Sequence, residues 1–191
     1  MSETSDRTRL LELLTELSYE QRTVKLASGR ESDFYIDCRN TSLHPEGNVL
    51  CGRELLKLVR TVPNVGGVAG PSIGADPLVC SVAHQSYLSG EGGIPGVFVR
   101  KEPKGHGTGR RLEGTRNIAS GTQLVLVEDV FTTGGSALRT LAAIREEGYE
   151  VAAIFALVDR EEGGLERVKD HSGVPRVEAL FGRRDFLVGG D

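Results

Sequence analysis

The stretch "LVLVEDVFTTGGSAL", residues 124–138, runs from four apolar residues through two acids into a turn rich in threonine, glycine and serine. The continuous apolar run is typical of a strand buried on both faces, as strands inside parallel sheets are. After the turn, Ala137, Leu138, Leu141 and Ile144 recur at helical spacing. The stretch therefore predicts a strand, a tight turn and a helix, the unit from which α/β sheets are built.

Three further apolar runs alternate along the chain with stretches of helical periodicity. The runs are residues 65–69 ("VGGVA"), 96–99 ("GVFV") and 152–158 ("AAIFALV"), and the helical stripes lie at 10–17, 51–62 and 78–82. Thr4 or Ser5 can cap the first helix. This alternation predicts an α/β fold, with a mostly parallel central sheet flanked by helices, in a single domain over residues 1–191.

A polar, glycine-rich cluster follows each apolar run. The four clusters are "GPSIGADP" (70–77), "RKEPKGHG" (100–107), "EDVFTTGGS" (128–136) and "DREEGG" (159–164). In open parallel sheets, ligands bind in the crevice outside the carboxyl ends of the strands. We therefore expect the four clusters to converge on one site.

Composition narrows the classes of function. The 191-residue chain has a net charge of −4 and a pI near 5.7, which argues against a general nucleic-acid binder. It shows neither an 18-residue apolar run nor a leader pattern, so we expect a soluble, cytoplasmic protein without a membrane partner. Cys38, Cys51 and Cys80 are expected to be reduced, small core residues. Residues 100–116 carry a net charge of +4, which indicates a local anion site.

The turn at 132–136 suits a phosphate. A helix that begins there offers unpaired backbone N–H groups and the positive end of its dipole, while the hydroxyls of Thr132, Thr133 and Ser136 add donors. Gly134 and Gly135 permit close approach of the backbone. In isolation, such a turn is equally an ordinary helix cap.

Glu128 and Asp129 come directly before this turn. Adjacent carboxylates can accept hydrogen bonds from vicinal ribose hydroxyls or hold a divalent cation beside them. Joined to a phosphate turn, they describe a site for a ribose 5-phosphate. The pattern is neither a Walker A loop nor a dinucleotide fingerprint, because it lacks the lysine of the first and the G-x-G-x-x-G of the second.

The segment "VLVEDVFTTGGSAL" resembles the motif that binds 5-phosphoribosyl 1-diphosphate (PRPP) in type I phosphoribosyltransferases. Within that family, "LASGRESDFYID" (26–37) and "LFGRRDFL" (180–187) are similar to segments of the orotate phosphoribosyltransferases. The segment "RKEPKGHG" (100–107) is the most discriminating likeness. The resemblance covers about residues 19–165 and the C-terminal segment.

The resemblance implies a reaction in which diphosphate leaves the anomeric carbon of PRPP, so that cations are needed at the leaving oxygens and carboxylates at the ribose. Lys101, Lys104 and His106 are implied as catalytic residues, with a lysine or histidine available as proton donor. Mg²⁺ is implied as cofactor, held mainly by PRPP and water. The residues implied to bind PRPP are Arg100, Glu128, Asp129, Thr132, Thr133, Gly134, Gly135 and Ser136.

The resemblance also implies a small hood from about residues 19–40 and a lid at 100–116 that closes over PRPP. The glycines of 100–116 equally suit a solvated hairpin tip, and the two descriptions are compatible. A homodimer is implied in which the lid of one subunit covers the PRPP site of the other.

For the base, the resemblance implies that Phe34 and Tyr35 lie against the pyrimidine of orotate. Arg160 is implied to pair with the orotate carboxylate, which a planar guanidinium fits well. Without the resemblance, Arg160 is equally a surface ion-pair residue beside Glu161 and Glu162.

The chain departs from some family members at two places. Ala27 replaces a lysine, and Ile73 with Gly74 replaces an aromatic residue and a lysine, which indicates a different subgroup.

Two alternatives to orotate transfer stay open: a phosphoribosyltransferase for another base, such as adenine, and a PRPP-sensing regulator on the same fold. The basic loop argues against the first, and the retained lysines and histidine of that loop argue against the second.

Overall fold

The structure, a computed structural model, describes residues 5–22, 24–25, 31–103 and 110–187. Its N-terminal elements are α1 (Asp6–Leu17), β1 (Tyr19–Glu20), β2 (Val24–Lys25), β3 (Glu31–Ser32), β4 (Tyr35–Ile36), α2 (Arg39–Ser42) and α3 (Pro45–Arg60). Ser5 caps α1, because its hydroxyl accepts a 3.2 Å hydrogen bond from the backbone N–H of Thr8. This cap is one of the two predicted from the sequence.

The remaining elements alternate strands with helices. They are β5 (Gly67–Pro71), α4 (Asp76–Leu88), β6 (Gly96–Val99), β7 (Leu112–Glu113), a 3₁₀ turn (Thr115–Asn117), β8 (Gln123–Phe131), α5 (Gly135–Glu146), β9 (Glu150–Asp159), α6 (Gly164–Ser172), β10 (Val177–Gly182) and α7 (Arg183–Leu187).

Six of these strands form the central sheet, in the order β10-β9-β8-β5-β6-β7. All neighbours are parallel except β7, which pairs antiparallel with β6. The predicted α/β fold is therefore confirmed.

Helices cover both faces of the sheet. In β8, Val125 and Val127 pack with residues of α1, α3 and α4, whereas Leu124 and Leu126 pack with residues of α5 and α6. Alternate residues of a strand point to opposite faces, so a strand between two helical layers needs apolar residues at every position. This explains the unbroken "LVLV" run.

Two sequence-based expectations need correction. The strand predicted at 124–127 continues to Phe131, so Glu128 and Asp129 lie within β8 and not after it. Parallel pairing with β9 extends the strand, with Glu128 opposite Ala156 and Val130 opposite Val158. All three cysteines were expected to be core residues. Cys38 and Cys51 are buried, but Cys80, on α4, is exposed.

The segment predicted as a hood contains two short antiparallel ribbons, in which β1 pairs with β4 and β2 pairs with β3. The segment predicted as a lid, residues 100–116, begins directly after β6, contains β7 and ends in the 3₁₀ turn, and Val99 at its base lies opposite Leu112. Its middle, including Lys104 and His106, lies outside the described residues. Among the helices of the described ranges, none has both the length and the apolar character needed to cross a bilayer.

Candidate active site

A cavity of about 500 Å³, here called the main cavity, lies at the carboxyl ends of β5 and β8. Its wall is formed by residues 35–37 and 39, residues 71–74, and residues 128–130, 132 and 136. Two of the predicted polar clusters, at 70–77 and 128–136, therefore meet here. The cluster at 159–164 contributes no residue to this wall.

Glu128 is the most deeply buried acid of the main cavity, with 3% of its surface exposed. Burial raises its pKa well above the ordinary value, and the neighbouring Asp129 raises it further. A hydrogen bond with Ser136 has the opposite but smaller effect. Within the described part of the chain, Oε2 of Glu128 has no hydrogen-bond partner. A buried acceptor without a partner is costly, which indicates that this atom serves a ligand.

Asp129 lies against the loop that follows β5. Its Oδ1 accepts a 2.8 Å hydrogen bond from the backbone N–H of Val130. A Cβ atom at Gly74 would lie only 2.4 Å from Oδ2 of Asp129, so this close approach requires glycine. The absence of a side chain at position 74 thus lets the carboxylate face the cavity beside residues 71–74.

The turn between β8 and α5 has the geometry of a phosphate site. Gly134 precedes the helix with φ +70° and offers no side-chain cap. The first N–H groups of a helix lack intrahelical partners and attract anions. A Cβ at position 134 would lie 2.7 Å from the carbonyl oxygen of Gly164, so both the backbone conformation and the packing require glycine. Thr133 and Ser136 are exposed on this turn.

A second cavity of about 230 Å³, here called the cationic cavity, adjoins the first and shares Pro71, Ser72 and Ser136 with it. Four basic side chains line it, and no acidic residue of the described ranges does. They are Arg100, Lys101, Arg111 and Arg139.

Sequence analysis singled out Arg100 and Lys101 but not the other two cations. Arg111 belongs to the segment of net charge +4, and its Nε donates a 3.1 Å hydrogen bond to the carbonyl oxygen of Arg100. Arg139 follows Ser136 by three residues, a spacing that places both on the same side of α5. The positive charge of the segment around Arg111 and the helical spacing of Arg139 could therefore both be read from the sequence.

A larger cavity, of about 580 Å³, lies between α3 and α4 but has a different character. Its cations are already paired with carboxylates of the protein, as Arg53 is with Asp6 at 3.4 Å and Arg60 is with Glu91 at 2.9 Å. In the cationic cavity, Arg100 is likewise paired, with Glu113 at 3.4 Å, but among the described residues the wall itself holds no carboxylate, whereas Asp6 lies in the wall of the larger cavity.

The two aromatic residues predicted to contact a base point in different directions. Tyr35 lines the main cavity, and the guanidinium of Arg22 stacks on its ring at 3.9 Å. Phe34 is 1% exposed and packs in the core, with its ring centroid 4.9 Å from that of Tyr19 and 5.6 Å from that of Phe186. Phe34 is therefore part of the core and does not line the main cavity. The residue that joins Tyr35 in the wall is Ile36, which sequence analysis missed.

Arg160 does not line the main cavity and is 7% exposed. Its Nη2 donates hydrogen bonds to the carbonyl oxygen of Phe34 at 2.6 Å and to Oε1 of Glu162 at 3.1 Å. It is thus not the surface ion-pair residue that the sequence left open. Its observed contacts fix the backbone immediately before Tyr35.

Comparisons with known proteins agree with this arrangement. The chain matches no family model. An orotate phosphoribosyltransferase of Sorangium cellulosum is 44% identical over 183 residues, which span 96% of this chain and 94% of the relative. One of Bradyrhizobium sp. (strain BTAi1) is 40% identical over 189 residues, which span 98% of this chain and all of the relative. The chain belongs to the orotate phosphoribosyltransferase family.

Solved structures give the same result for the fold. The orotate phosphoribosyltransferase of Mycobacterium tuberculosis in complex with PRPP has a TM-score of 0.78 and 32% identity, and the match covers 96% of this chain and all of that one. The chain is therefore a phosphoribosyltransferase of the type I fold, as the resemblance implied. Its cavities can be interpreted as those of an orotate phosphoribosyltransferase.

Proposed function

We propose that the protein transfers the 5-phosphoribosyl group of PRPP to orotate, forming orotidine 5'-monophosphate and diphosphate, a step of pyrimidine and UMP biosynthesis. The observation that carries the proposal is the pairing of two adjoining cavities of opposite character. The main cavity holds Glu128, Asp129 and the phosphate turn, and the cationic cavity holds four basic side chains. PRPP is the substrate that needs both, because it carries a ribose 5-phosphate and a diphosphate.

The main cavity is proposed to bind the ribose 5-phosphate. Glu128 and Asp129 accept hydrogen bonds from the ribose hydroxyls, which would supply the partner that Oε2 of Glu128 lacks. The turn at 132–136 binds the 5-phosphate through its backbone N–H groups and the hydroxyls of Thr132, Thr133 and Ser136.

The cationic cavity is proposed to bind the diphosphate. Arg100 and Lys101 were implied by the resemblance, and Arg111 and Arg139 join them on the same wall. Guanidinium groups suit phosphate oxygens because they offer paired N–H donors in one plane. Lys104 and His106 are proposed to act from the loop that lies outside the described residues.

The chemistry follows from where the charges lie. As the bond between C1 of the ribose and the diphosphate oxygen breaks, negative charge grows on the leaving group and positive charge grows on the ribose. Fixed cations at one end and fixed carboxylates at the other stabilise both changes without reorganisation. Lys104 or His106 is placed by the proposal to donate a proton to the leaving oxygen.

Mg²⁺ is proposed as the cofactor, and the residues present fit it. Among the described residues, no group of three histidine, cysteine or acidic side chains is arranged to hold a metal. Glu128 and Asp129 supply two carboxylates, which suits an ion held mainly by PRPP oxygens and water, because Mg²⁺ typically keeps several waters. Bound there, it would neutralise charge on the diphosphate.

For the base, Tyr35 is proposed to lie against the pyrimidine ring. Arg160 was predicted to reach the orotate carboxylate, and this stays a proposal. Its bond to the carbonyl oxygen of Phe34 also supports a second role, in positioning the Tyr35 segment.

The test of function is a turnover assay with PRPP, Mg²⁺ and a panel of bases that includes orotate, uracil and adenine. Formation of orotidine 5'-monophosphate, and not of the other nucleotides, is the expected result. Lys101→Ala should lower kcat by about 10²-fold or more, whereas Lys57→Ala, an exposed lysine of α3, should leave it unchanged. PRPP binding without turnover of any base would favour the regulator, and turnover of another base would refute orotate as the substrate.

A homodimer with a shared lid is also proposed, on the basis of the resemblance. Lys101 lines the cationic cavity of its own chain, so each site would take Lys104 and His106 of the lid from one chain, and Glu128 and Asp129 from the other. Two inactive proteins, one with alanine at Lys104 and His106 and one with amides at both acids, should regain about a quarter of wild-type activity after subunit exchange, because half the dimers are mixed and each has one intact site. Verified exchange without recovery would show that the lid acts on its own subunit.

A cytoplasmic location is the remaining part of the proposal. The cysteines support it, because Cys38, Cys51 and Cys80 are all free thiols, as expected in a reducing compartment.

A further inference from the structure

Glu147, the residue directly after α5, connects that helix to the segment 100–116. Its Oε1 accepts a 2.7 Å hydrogen bond from the backbone N–H of Arg111 and a 3.1 Å hydrogen bond from the backbone N–H of Leu112. The two donors are consecutive in the chain and lie where β7 begins. One carboxylate oxygen therefore holds the start of this strand.

The end of a helix is an unfavourable place for a negative charge, because the helix dipole is itself negative there. Glu147 occupies the C-cap position of α5, and its backbone N–H donates to the carbonyl oxygen of Ala143 at 3.3 Å. Its side chain is turned toward β7 and is partly buried. Hydrogen bonds from N–H groups to a charged acceptor are stronger than neutral ones. The contact with β7 thus offsets the cost of placing a carboxylate at this position.

Strand β7 depends on such contacts because it is short and lies at the edge of the sheet. It has two residues and, among the described strands, pairs with β6 alone. An edge strand has backbone N–H groups that a neighbouring strand does not pair. The carboxylate of Glu147 supplies an acceptor for two N–H groups at this edge.

Arg111 joins the contact with Glu147 to the cationic cavity. Its backbone N–H is held by Glu147, and its carbonyl oxygen accepts a 2.8 Å hydrogen bond from the backbone N–H of Arg100. Its side chain lines the cavity, with Nε donating to the carbonyl oxygen of Arg100. Within the described ranges, its Nη1 and Nη2 make no hydrogen bond, so these donors can serve a ligand. The backbone position of Arg111 decides where they lie.

We infer that Glu147 is a positioning residue for the diphosphate of PRPP, because its carboxylate fixes the backbone of Arg111 and so holds that guanidinium in the cationic cavity. Glu147 lies in the described wall of neither cavity, so it acts through Arg111 and not by touching the substrate. The inference rests on the proposed function, in which the cationic cavity binds the diphosphate.

The sign of the expected effect separates this role from a simple effect of charge. Removing a carboxylate beside a cluster of cations should strengthen the binding of an anion, because one repulsion is lost. Removing the group that holds Arg111 in place should weaken it. Glu147→Ala removes both the charge and the contact, whereas Glu147→Gln removes the charge and keeps an oxygen that accepts from both N–H groups.

The first measurement is the Kd of inorganic diphosphate, determined by calorimetry. Glu147→Ala should raise this Kd by about tenfold, the effect of losing about one hydrogen bond to a charged group. Glu147→Gln should bind diphosphate with the affinity of the wild type or up to about threefold more tightly.

The second measurement is hydrogen exchange at the backbone amides of Arg111 and Leu112 in the ligand-free protein, followed by NMR. Both amides should exchange about tenfold faster in Glu147→Ala, because local opening of β7 becomes easier. In Glu147→Gln they should stay within about threefold of the wild type. Amides in the middle of β8 should be unchanged in both variants, which distinguishes loosening of β7 from global unfolding.

Glu146→Ala is the matched control. Glu146 is the neighbouring acid, an exposed residue at the end of the same helix. Its replacement removes the same charge from the same helix terminus but leaves the contact with β7 in place. Diphosphate affinity and the exchange of the β7 amides should both stay within about twofold of the wild type.

Several outcomes would overturn the inference. Unchanged exchange in Glu147→Ala would show that the carboxylate does not hold β7. Faster exchange with unchanged diphosphate affinity would show that Arg111 keeps its place without this contact. Equal weakening in the alanine and glutamine variants would show that the charge matters and the contact does not. Failure of the proposed function is a separate result, because the wild type would then neither bind diphosphate nor turn over orotate, whatever the exchange of the β7 amides.

Discussion

Replacing Glu128 by glutamine is expected to make the ligand-free protein more stable at neutral pH. Glu128 is 3% exposed, and its Oε2 has no hydrogen-bond partner within the described residues. Burial first, and then the neighbouring Asp129, raise its pKa. At neutral pH, the folded protein must therefore hold either a buried charge or a proton that the unfolded chain does not bind. The amide has nearly the same shape and does not ionise.

The size of the effect comes from removing the charge, because the amide of glutamine still leaves a polar atom at the same buried place. Burying a polar group without a partner costs about 1 to 3 kcal/mol and burying a charged group costs more, so we take about 1 to 3 kcal/mol as the difference. In a domain of 150 to 250 residues, 1 kcal/mol shifts Tm by about 2 to 4 °C. Glu128→Gln should therefore unfold about 2 to 12 °C above the wild type near pH 8.

The pH dependence has a definite sign. Between the ordinary carboxyl pKa and the raised pKa of Glu128, the folded protein binds more protons at this position than the unfolded chain does. This group therefore makes the wild type less stable as pH rises through that window. The advantage of the glutamine variant should shrink toward about pH 4, where the carboxyl group is largely protonated in both states.

Thermal unfolding of both proteins between about pH 4 and pH 8 provides the assay. Glu178→Gln is the control, because Glu178 pairs with Arg176 at 2.7 Å, which lowers its pKa, so its replacement should not raise Tm. The same Glu128→Gln substitution should lower kcat/KM by about tenfold to hundredfold through loss of a charged acceptor. No gain in Tm near pH 8, or a gain of equal size at pH 4, would refute the reasoning.

Three further substitutions test single contacts of the site. Gly74→Ala would place a Cβ 2.4 Å from Oδ2 of Asp129. Displacement of that carboxylate should lower kcat/KM by about 10²-fold, whereas Gly93→Ala, where a Cβ meets nothing closer than 3.8 Å, should have no effect. Arg139→Met should raise the Kd for diphosphate by about tenfold and should also raise the Tm of the ligand-free protein, because a cation leaves the first turns of α5. Unchanged diphosphate affinity would remove Arg139 from the site. Arg160→Lys keeps the charge but not the planar geometry, so the KM for orotate should rise more than the KM for PRPP. Equal loss for both substrates would indicate a general structural defect.

The central sheet and the place of the site could be predicted from the sequence because both depend on strong, local signals. Four continuous apolar runs marked doubly buried strands, and the polar clusters after three of them line the two adjoining cavities. Strand ends were less predictable. Glu128 and Asp129 are poor strand residues, yet β8 runs through them because β9 offers a partner backbone alongside. Pairing with a neighbour is a tertiary effect that the local pattern does not contain.

The direction of individual side chains was harder to predict. The segment "DFYID" marked a base site, but it did not show that Phe34 would enter the core while Tyr35 faces the cavity. Arg160 sits in a polar, exposed-looking cluster, yet it is buried against a backbone carbonyl contributed by a residue 126 positions earlier. Contacts between residues so far apart in the sequence depend on how the N-terminal ribbons pack against the rest of the protein. The spacing of residues along the chain does not predict that packing.

The two cavities together explain why the ligand-free site carries unfavourable charges. Glu128 is buried without a partner for one of its oxygens, and Arg139 adds positive charge near a helix N-terminus beside three other cations. Each arrangement is unfavourable in the empty protein, and in the proposed function each would be compensated when PRPP spans the wall that the cavities share at Ser72 and Ser136. Charges fixed before the substrate arrives need no reorganisation as opposite charges develop on the ribose and on the leaving group. We therefore expect substitutions of Glu128 or Arg139 that raise the Tm of the ligand-free protein to lower its activity.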